Sequence, residues 1–339
     1  MQSPLLPLDL EREVLEITAE RQPSTVLKLM LLCRRTHAWL EPFLYRTVSL
    51  HSNDPEDNDP EYDPAQDAFY RVASSKPPSF LARGVRVLLM NFAYRWDEDK
   101  IKRTSEALLR CTNISRVLLT SHRRLGSPLN TIMFRALPLS VLTLRRLSTF
   151  MLESMPDLVA EQALTPPFRF LTHLYALDRE PDAIRRLVPF VVKLPALTHF
   201  AVSTDLPADI LEDVLGKGGC PHLVLFVLLS YWDRNGIKAR RWAKELPSTD
   251  PRVVIAITYE WDAGVAEETR TPTLWQEAED FVQKKALGLI ESSCLTSRSS
   301  TLYHDIKRSL PSGRCLSLYF SYVSTALTWI ARASSVVGR

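Results

Sequence analysis

The chain has 339 residues, 45% of them apolar and 24% charged, with 42 Lys and Arg against 39 Asp and Glu for a formal charge of +3. Those fractions are ordinary for a soluble globular protein, and so small a charge gives no global field for nucleic acid or an acidic membrane. Glycine is scarce (10) and proline frequent (23), which disfavours folds built on glycine-rich phosphate loops and suits many short elements with proline-marked joints.

The first 50 residues read as three short helices. Leu10, Val14 and Ile17 fall at helical spacing, with Leu6 leading in. Asp9, Glu11, Glu13 and Glu16 supply polar positions near the helix start, where carboxylates suit the macrodipole. Pro7 sits at the start, where proline is tolerated. "RQP" ends that pattern, and Ser24 or Thr25 can cap a second helix carrying Leu27, Leu31 and Leu32. A third carries Trp39, Leu40, Phe43 and Leu44, with Pro42 marking a kink or a new turn. A domain of fewer than about 60 residues is marginal on its own. The surplus apolar surface must therefore meet the rest of the chain or another protein.

The stretch "LPLDLEREVLEI", followed after a gap by "LKLMLLCRRTHAWLEPFLY", resembles an F-box. Leu6 and Pro7 match its Leu-Pro, Leu10 and Val14 its first helical stripe, and Leu32, Cys33, Arg34 and Trp39 its second cluster. Trp39 comes some residues later than in the commonest form, which leaves the register of the third helix open. "EPFLYR" is similar to an ending that recurs in F-box-like domains of fungi. The resemblance covers about 45 residues of the chain. It implies docking on a Skp-type adaptor of a cullin ubiquitin ligase through Leu6, Pro7, Leu10, Val14, Leu32, Cys33 and Trp39. The plainer alternative is a helical cap on a larger domain.

Residues 53–67, "NDPEDNDPEYDPAQD", are acidic and proline-bearing with no apolar period, so 51–78 reads as an acidic linker. Its carboxylates do not follow the EF-hand template and lack that loop's glycine. Short apolar segments then recur: 84–90, 114–120, 141–148, 170–177, 197–203, 223–229 and 252–259. Leu171, Leu197 and Leu223 follow one another at 26 residues, each preceded three positions earlier by Phe168, Leu194 or Cys220, and Cys111 stands so to Ile114. A period between about 20 and 29 residues is the signature of leucine-rich repeats. Helical patterns such as 182–194 and 206–218 lie between the segments. "CPHLVLFVLL" and "CTNISRVLL" resemble the cysteine-containing repeat often joined to F-boxes, although the later Asn or Cys of each unit is mostly absent.

The expected architecture is α/β: a three-helix F-box-like unit (1–50), the linker, and an irregular leucine-rich-repeat-like solenoid with a parallel sheet (79–262). A closing helix lies within 263–288, and 289–339 form a poorly ordered tail. A plain α/β domain with parallel strands gives the same alternation and remains the rival. If Leu171, Leu197 and Leu223 point inward, Thr172, Thr198 and Val224 point out or stand where the strands begin. Tyr175, Ala201 and Val227 are equivalent positions farther along. Interfaces favour aromatic anchors, so Tyr175, Tyr231 and Trp232 are the candidate target contacts.

Five well-separated cysteines (33, 111, 220, 294 and 315) argue against a disulfide framework and for a reducing compartment, cytoplasmic or nuclear. No signal-peptide pattern opens the chain. The uncharged run 315–331 is at the lower limit for a spanning helix and is interrupted by Ser and Thr, so no membrane role is expected. His173 and His199 recur at the repeat period without an evident third ligand, and no CxxC or HExxH occurs, so no metal is expected. GxSxG, GxGxxG and Walker motifs are absent, which leaves no catalytic residue and no cofactor to name. The basic stretches "LTLRRLSTF" and "KARRWAKEL" read as solvated arginines, not as a nucleic-acid site. The resemblance therefore implies a non-enzymatic subunit that recognises the substrate of a Skp–cullin–F-box ligase. The alternative is an interaction scaffold whose N-terminal helices only cap the repeats.

Overall fold

A computed structural model describes residues 6–51, 64–92, 98–121, 141–144, 163–164, 166–176, 181–202, 206, 208–231, 237–245, 250–258, 273–290 and 294–296. The protein is mixed α/β. The seven apolar segments become strands β2 (Val87–Phe92), β3 (Arg116–Ser121), β4 (Val141–Leu144), β5 (His173–Ala176), β6 (His199–Val202), β7 (Leu225–Tyr231) and β8 (Val253–Thr258). The sheet gains one strand at each end, β1 (Thr47–His51) and β9 (Cys294–Thr296). All nine pair parallel, in chain order from β1 to β9.

The 26-residue spacing is the pairing register. His173 faces His199, which faces Leu225, and Leu174, Phe200 and Phe226 run alongside. One carbonyl just ahead of each of four strands accepts two N–H groups from the next unit. Arg46 O takes Arg86 N and Val87 N; Arg86 O takes Ser115 N and Arg116 N. Thr172 O takes Thr198 N and His199 N; Thr198 O takes Val224 N and Leu225 N. Leu171, Leu197 and Leu223 are buried at the turn into their strands. The residue three before each of the first and last, Phe168 or Cys220, offers its carbonyl to the leucine N–H. Cys111 and Cys220 are buried, and burial pushes their thiols up to about 12 and about 11.

One face of the sheet carries a helix layer. It includes α4 (Pro64–Ser75), α6 (Glu98–Leu108), α8 (Pro181–Val191), α9 (Ala208–Leu215) and α10 (Ile237–Glu245). Alternate strand residues point to it: Val48, Leu88, Val117, Leu174, Phe200 and Phe226 share one core with Phe69, Leu108, Ile184, Leu187, Ile210 and Trp242. The short helices α5 (Pro78–Gly84) and α7 (Pro166–Arg169) lead into β2 and β5.

The first strands are preceded by α1 (Leu8–Arg21), a 3₁₀ turn (Pro23–Thr25), α2 (Val26–Met30), α3 (Arg34–Leu40) and a second 3₁₀ turn (Glu41–Tyr45). α3 stops where Pro42 begins the new turn. Ala19, Val26, Met30 and Leu40 form a small separate core. The unit docks on α5 through Tyr45 against Phe80, centroids 5.7 Å apart, and through Arg83–Glu16 at 3.2 Å. A Cβ on Gly84 would stand 2.6 Å from Pro42 O, so only glycine allows this approach.

Four expectations need correction. Thr47–Leu50 belong to the sheet and not to the helical unit, because "TVSL" is a short β-branched and apolar run. The segment 51–78 contains α4, which buries Phe69 and Ala73 four residues apart on one helical face. Within 289–339, residues 294–296 pair with β8. The helix of 263–288, α11 (Leu274–Ala286), does not close the end of the sheet; it lies over the face opposite the helix layer.

Candidate functional site

Two surfaces follow from this arrangement. The first lies on the N-terminal helices. Their small core takes Ala19, Val26, Met30 and Leu40, with Leu15, Leu29, Trp39, Phe43 and Leu44 packed against it, and leaves a second set of apolar side chains facing outward. Leu10 and Val14 are 47% and 53% exposed, and Leu31 and Leu32 reach 82% and 67%. Leu6, Leu8, Ile17 and Leu27 are exposed as well. Exposed apolar residues in one contiguous patch mark an interaction site more often than scattered ones do.

Of the expected adaptor contacts, Leu6, Pro7, Leu10, Val14, Leu32 and Cys33 are exposed and Trp39 is half-buried. Arg35 ties the start of α3 to the first turn of α1, with Nη2 3.0 and 2.8 Å from the two Glu11 carboxylate oxygens. The same guanidinium lies 5.2 Å from the Trp39 ring centroid. Thr36, buried at the start of α3, donates its hydroxyl to Leu29 O at 2.9 Å and so fixes α3 against α2. The Thr36 backbone N–H and then its hydroxyl hold the Cys33 thiol below its ordinary range. Leu8 and Leu31, which the sequence reading did not name as contacts, are exposed beside them, and Leu31 belongs to the second helical stripe.

The second surface is the sheet face under α11. Tyr175, Ala201, Val227, Val254 and Ala256 pack there against Leu274, Trp275, Ala278 and Phe281. Tyr175 is 1% exposed, with its ring centroid 4.5 Å from that of Trp275. It is not a free contact for a target: strand alternation assigns it to the second face, but the α11 side chains cover that face. Tyr231 ends β7, and its side chain lies outside the described residues, as does all of Trp232.

The two histidines stack on each other beneath Trp275, whose ring is 5.3 Å from His173 and 5.2 Å from His199. Each Nδ1 meets the hydroxyl of the preceding threonine, Thr172 at 2.9 Å and Thr198 at 2.8 Å. His199 Nε2 lies 3.0 Å from Glu279 Oε1. With Nε2–H donating to that carboxylate, Nδ1 accepts from Thr198, which is the neutral tautomer. Burial holds His173 down at about 3 and also lowers His199, against the pull of Glu279.

No protein-family model and no curated protein matches this chain.

Among the described residues no group of three or more His, Cys, Asp or Glu side chains could hold a metal. No described helix is long and apolar enough to cross a membrane. The run 315–331 lies outside the described residues.

Proposed function

We propose that this chain recognises substrates for a Skp–cullin–F-box ubiquitin ligase, with the N-terminal helices as an F-box-like unit and the sheet with its helix layer as an irregular leucine-rich-repeat-like solenoid. The observation that carries the proposal is the apolar surface left open on a very small helical unit: Leu10, Val14, Leu31 and Leu32 stay exposed beside the small core. A cap that served only the sheet would bury that surface against the sheet. The repeat reading draws support from nine parallel strands in chain order and from the recurring two-donor carbonyl between units.

In this role the subunit performs no covalent chemistry. It holds a target near the ligase-bound conjugating enzyme and raises its effective concentration. It requires no cofactor, and its setting is cytoplasmic or nuclear. The experiment is capture of a Skp-type adaptor by the full chain and by the Leu6→Ala/Pro7→Ala variant. Capture by the wild type and its loss in the variant is the expected result. Equal capture by both would return the N-terminal helices to the role of a cap on an interaction scaffold.

A further inference from the structure

The α11 contact is built differently from the rest of the core. The two larger apolar clusters of the sheet are separate and lie on opposite faces, with Val87 and Leu89 of β2 forming a small third one. The helix-layer cluster runs from Val48 to Ile257 and contains no α11 residue. The other consists of strand residues of one face together with α11 and its neighbours Ile290 and Leu295. Removing α11 therefore leaves the larger core closed.

Its contact surface also has features of recognition. Glu279 reaches across to His199, a directional bond in place of a further apolar contact. Trp275 Nε1 is buried with no hydrogen-bond acceptor among the described residues. α11 carries its own local helix signals. Thr273 and Gln276 make a reciprocal cap, and Asp280 pairs with Lys284 one turn apart at 2.6 Å. Its apolar stripe, Leu274, Ala278 and Phe281, has the spacing of a helix laid into a groove.

We propose that the β5–β8 face is the target-binding surface and that α11 occupies it as an internal stand-in, exchanged for an amphipathic helix of a target protein. That helix would carry the α11 pattern: an aromatic anchor in the place of Trp275, a carboxylate four residues later for His199, and a second aromatic two residues beyond. The proposal rests on the reading of the sheet as a target-holding surface, and it names the target's chemistry.

A labelled synthetic peptide of residues 273–289 tests it against the full chain. α11 competes with the peptide, so the wild type should bind it weakly. The full-length Trp275→Ala variant, whose own helix is weakened, should bind it at least tenfold more tightly. Glu279→Gln, a milder change at a partly exposed site, should strengthen binding several-fold. A peptide with both aromatics replaced by alanine should not bind. Equal peptide affinity in wild type and in both folded variants overturns the proposal. So does loss of the whole fold in Trp275→Ala, because α11 would then be part of one indivisible core. Adaptor capture measured on the same samples separates the two readings. Capture without peptide exchange removes this inference alone, and exchange without capture removes the ligase role while leaving the groove.

Discussion

The imidazoles of His173 and His199 lie face to face, centroids 4.1 Å apart and 7° from parallel. They are neighbours because β5 and β6 pair in register at the 26-residue period. Protonating both would place two positive charges in van der Waals contact under an indole. Arg116 adds positive charge near His173, and Glu279 offsets it on the His199 side.

Stability should therefore fall on acidification. Both histidines have pKa values below the unfolded 6.5, so below that pH the unfolded chain binds more protons than the folded one. The stabilisation is complete above pH 6.5 and is lost progressively as pH falls toward the folded value of about 3 for His173. At 1.36 kcal/mol per pH unit, His173 alone accounts for about 2 kcal/mol by pH 5. Urea midpoints at pH 7.5 and 5 check this. His173→Gln should show a clearly smaller drop than the wild type, and an equal drop would place the titrating group elsewhere.

Leu197 should behave as a core residue of the repeated turn. It is fully buried between Leu171 and Leu223 in the register of β5, β6 and β7. Leu197→Ala removes apolar contacts and leaves a cavity, at a cost of about 2–5 kcal/mol. Chemical denaturation read by circular dichroism measures it. The equivalent change at Val224, exposed one position after Leu223, should stay within about 0.5 kcal/mol.

That contrast marks how far the sequence was readable. Leu171, Leu197 and Leu223 announced themselves by spacing, and with them the order and direction of β5, β6 and β7. β1 and β9 did not, because "TVSL" follows a helical stretch and "CLT" sits in a serine-rich one; pairing with an existing edge makes strands of both. α4 was hidden by the acidic composition around it, although Phe69 and Ala73 already stood on one helical face. The exposed residues of the N-terminal helices were legible because surplus leucines on a small helical unit have no internal place to go. Tyr175 was misread for a different reason. Alternation tells which face a strand residue takes, but a local pattern does not say that a helix about 100 residues later covers that face.

Gly84 tests how the helical unit is joined to the sheet. A methyl group there would meet Pro42 O at 2.6 Å, and backbone has little room to yield on either side. Gly84→Ala should cost about 1–3 kcal/mol, the range for overpacking a close contact. The expected readout is a lower thermal midpoint, with earlier proteolytic release of residues 1–46 from the sheet. An unchanged midpoint would mean that α5 shifts freely against the second 3₁₀ turn.

The last prediction separates binding from folding on the N-terminal helices. Leu10 and Val14 are about half exposed and lie one turn apart on α1. Their replacement by aspartate removes little buried area, so stability should change by no more than about 0.5 kcal/mol per site. Two charges at the centre of an apolar interface are a different matter, since they must be desolvated without a partner. Adaptor capture by Leu10→Asp/Val14→Asp should fall below detection while its melting curve follows the wild type. Leu40→Ala serves as the opposite control. Leu40 is fully buried in the small core, so its loss should unfold the unit, at about 2–5 kcal/mol, and remove capture through instability. If the aspartate variant captured adaptor normally while remaining folded, the open leucine surface would serve some other partner. If it unfolded as Leu40→Ala does, those leucines would be structural, and the observation that carries the ligase reading would be withdrawn.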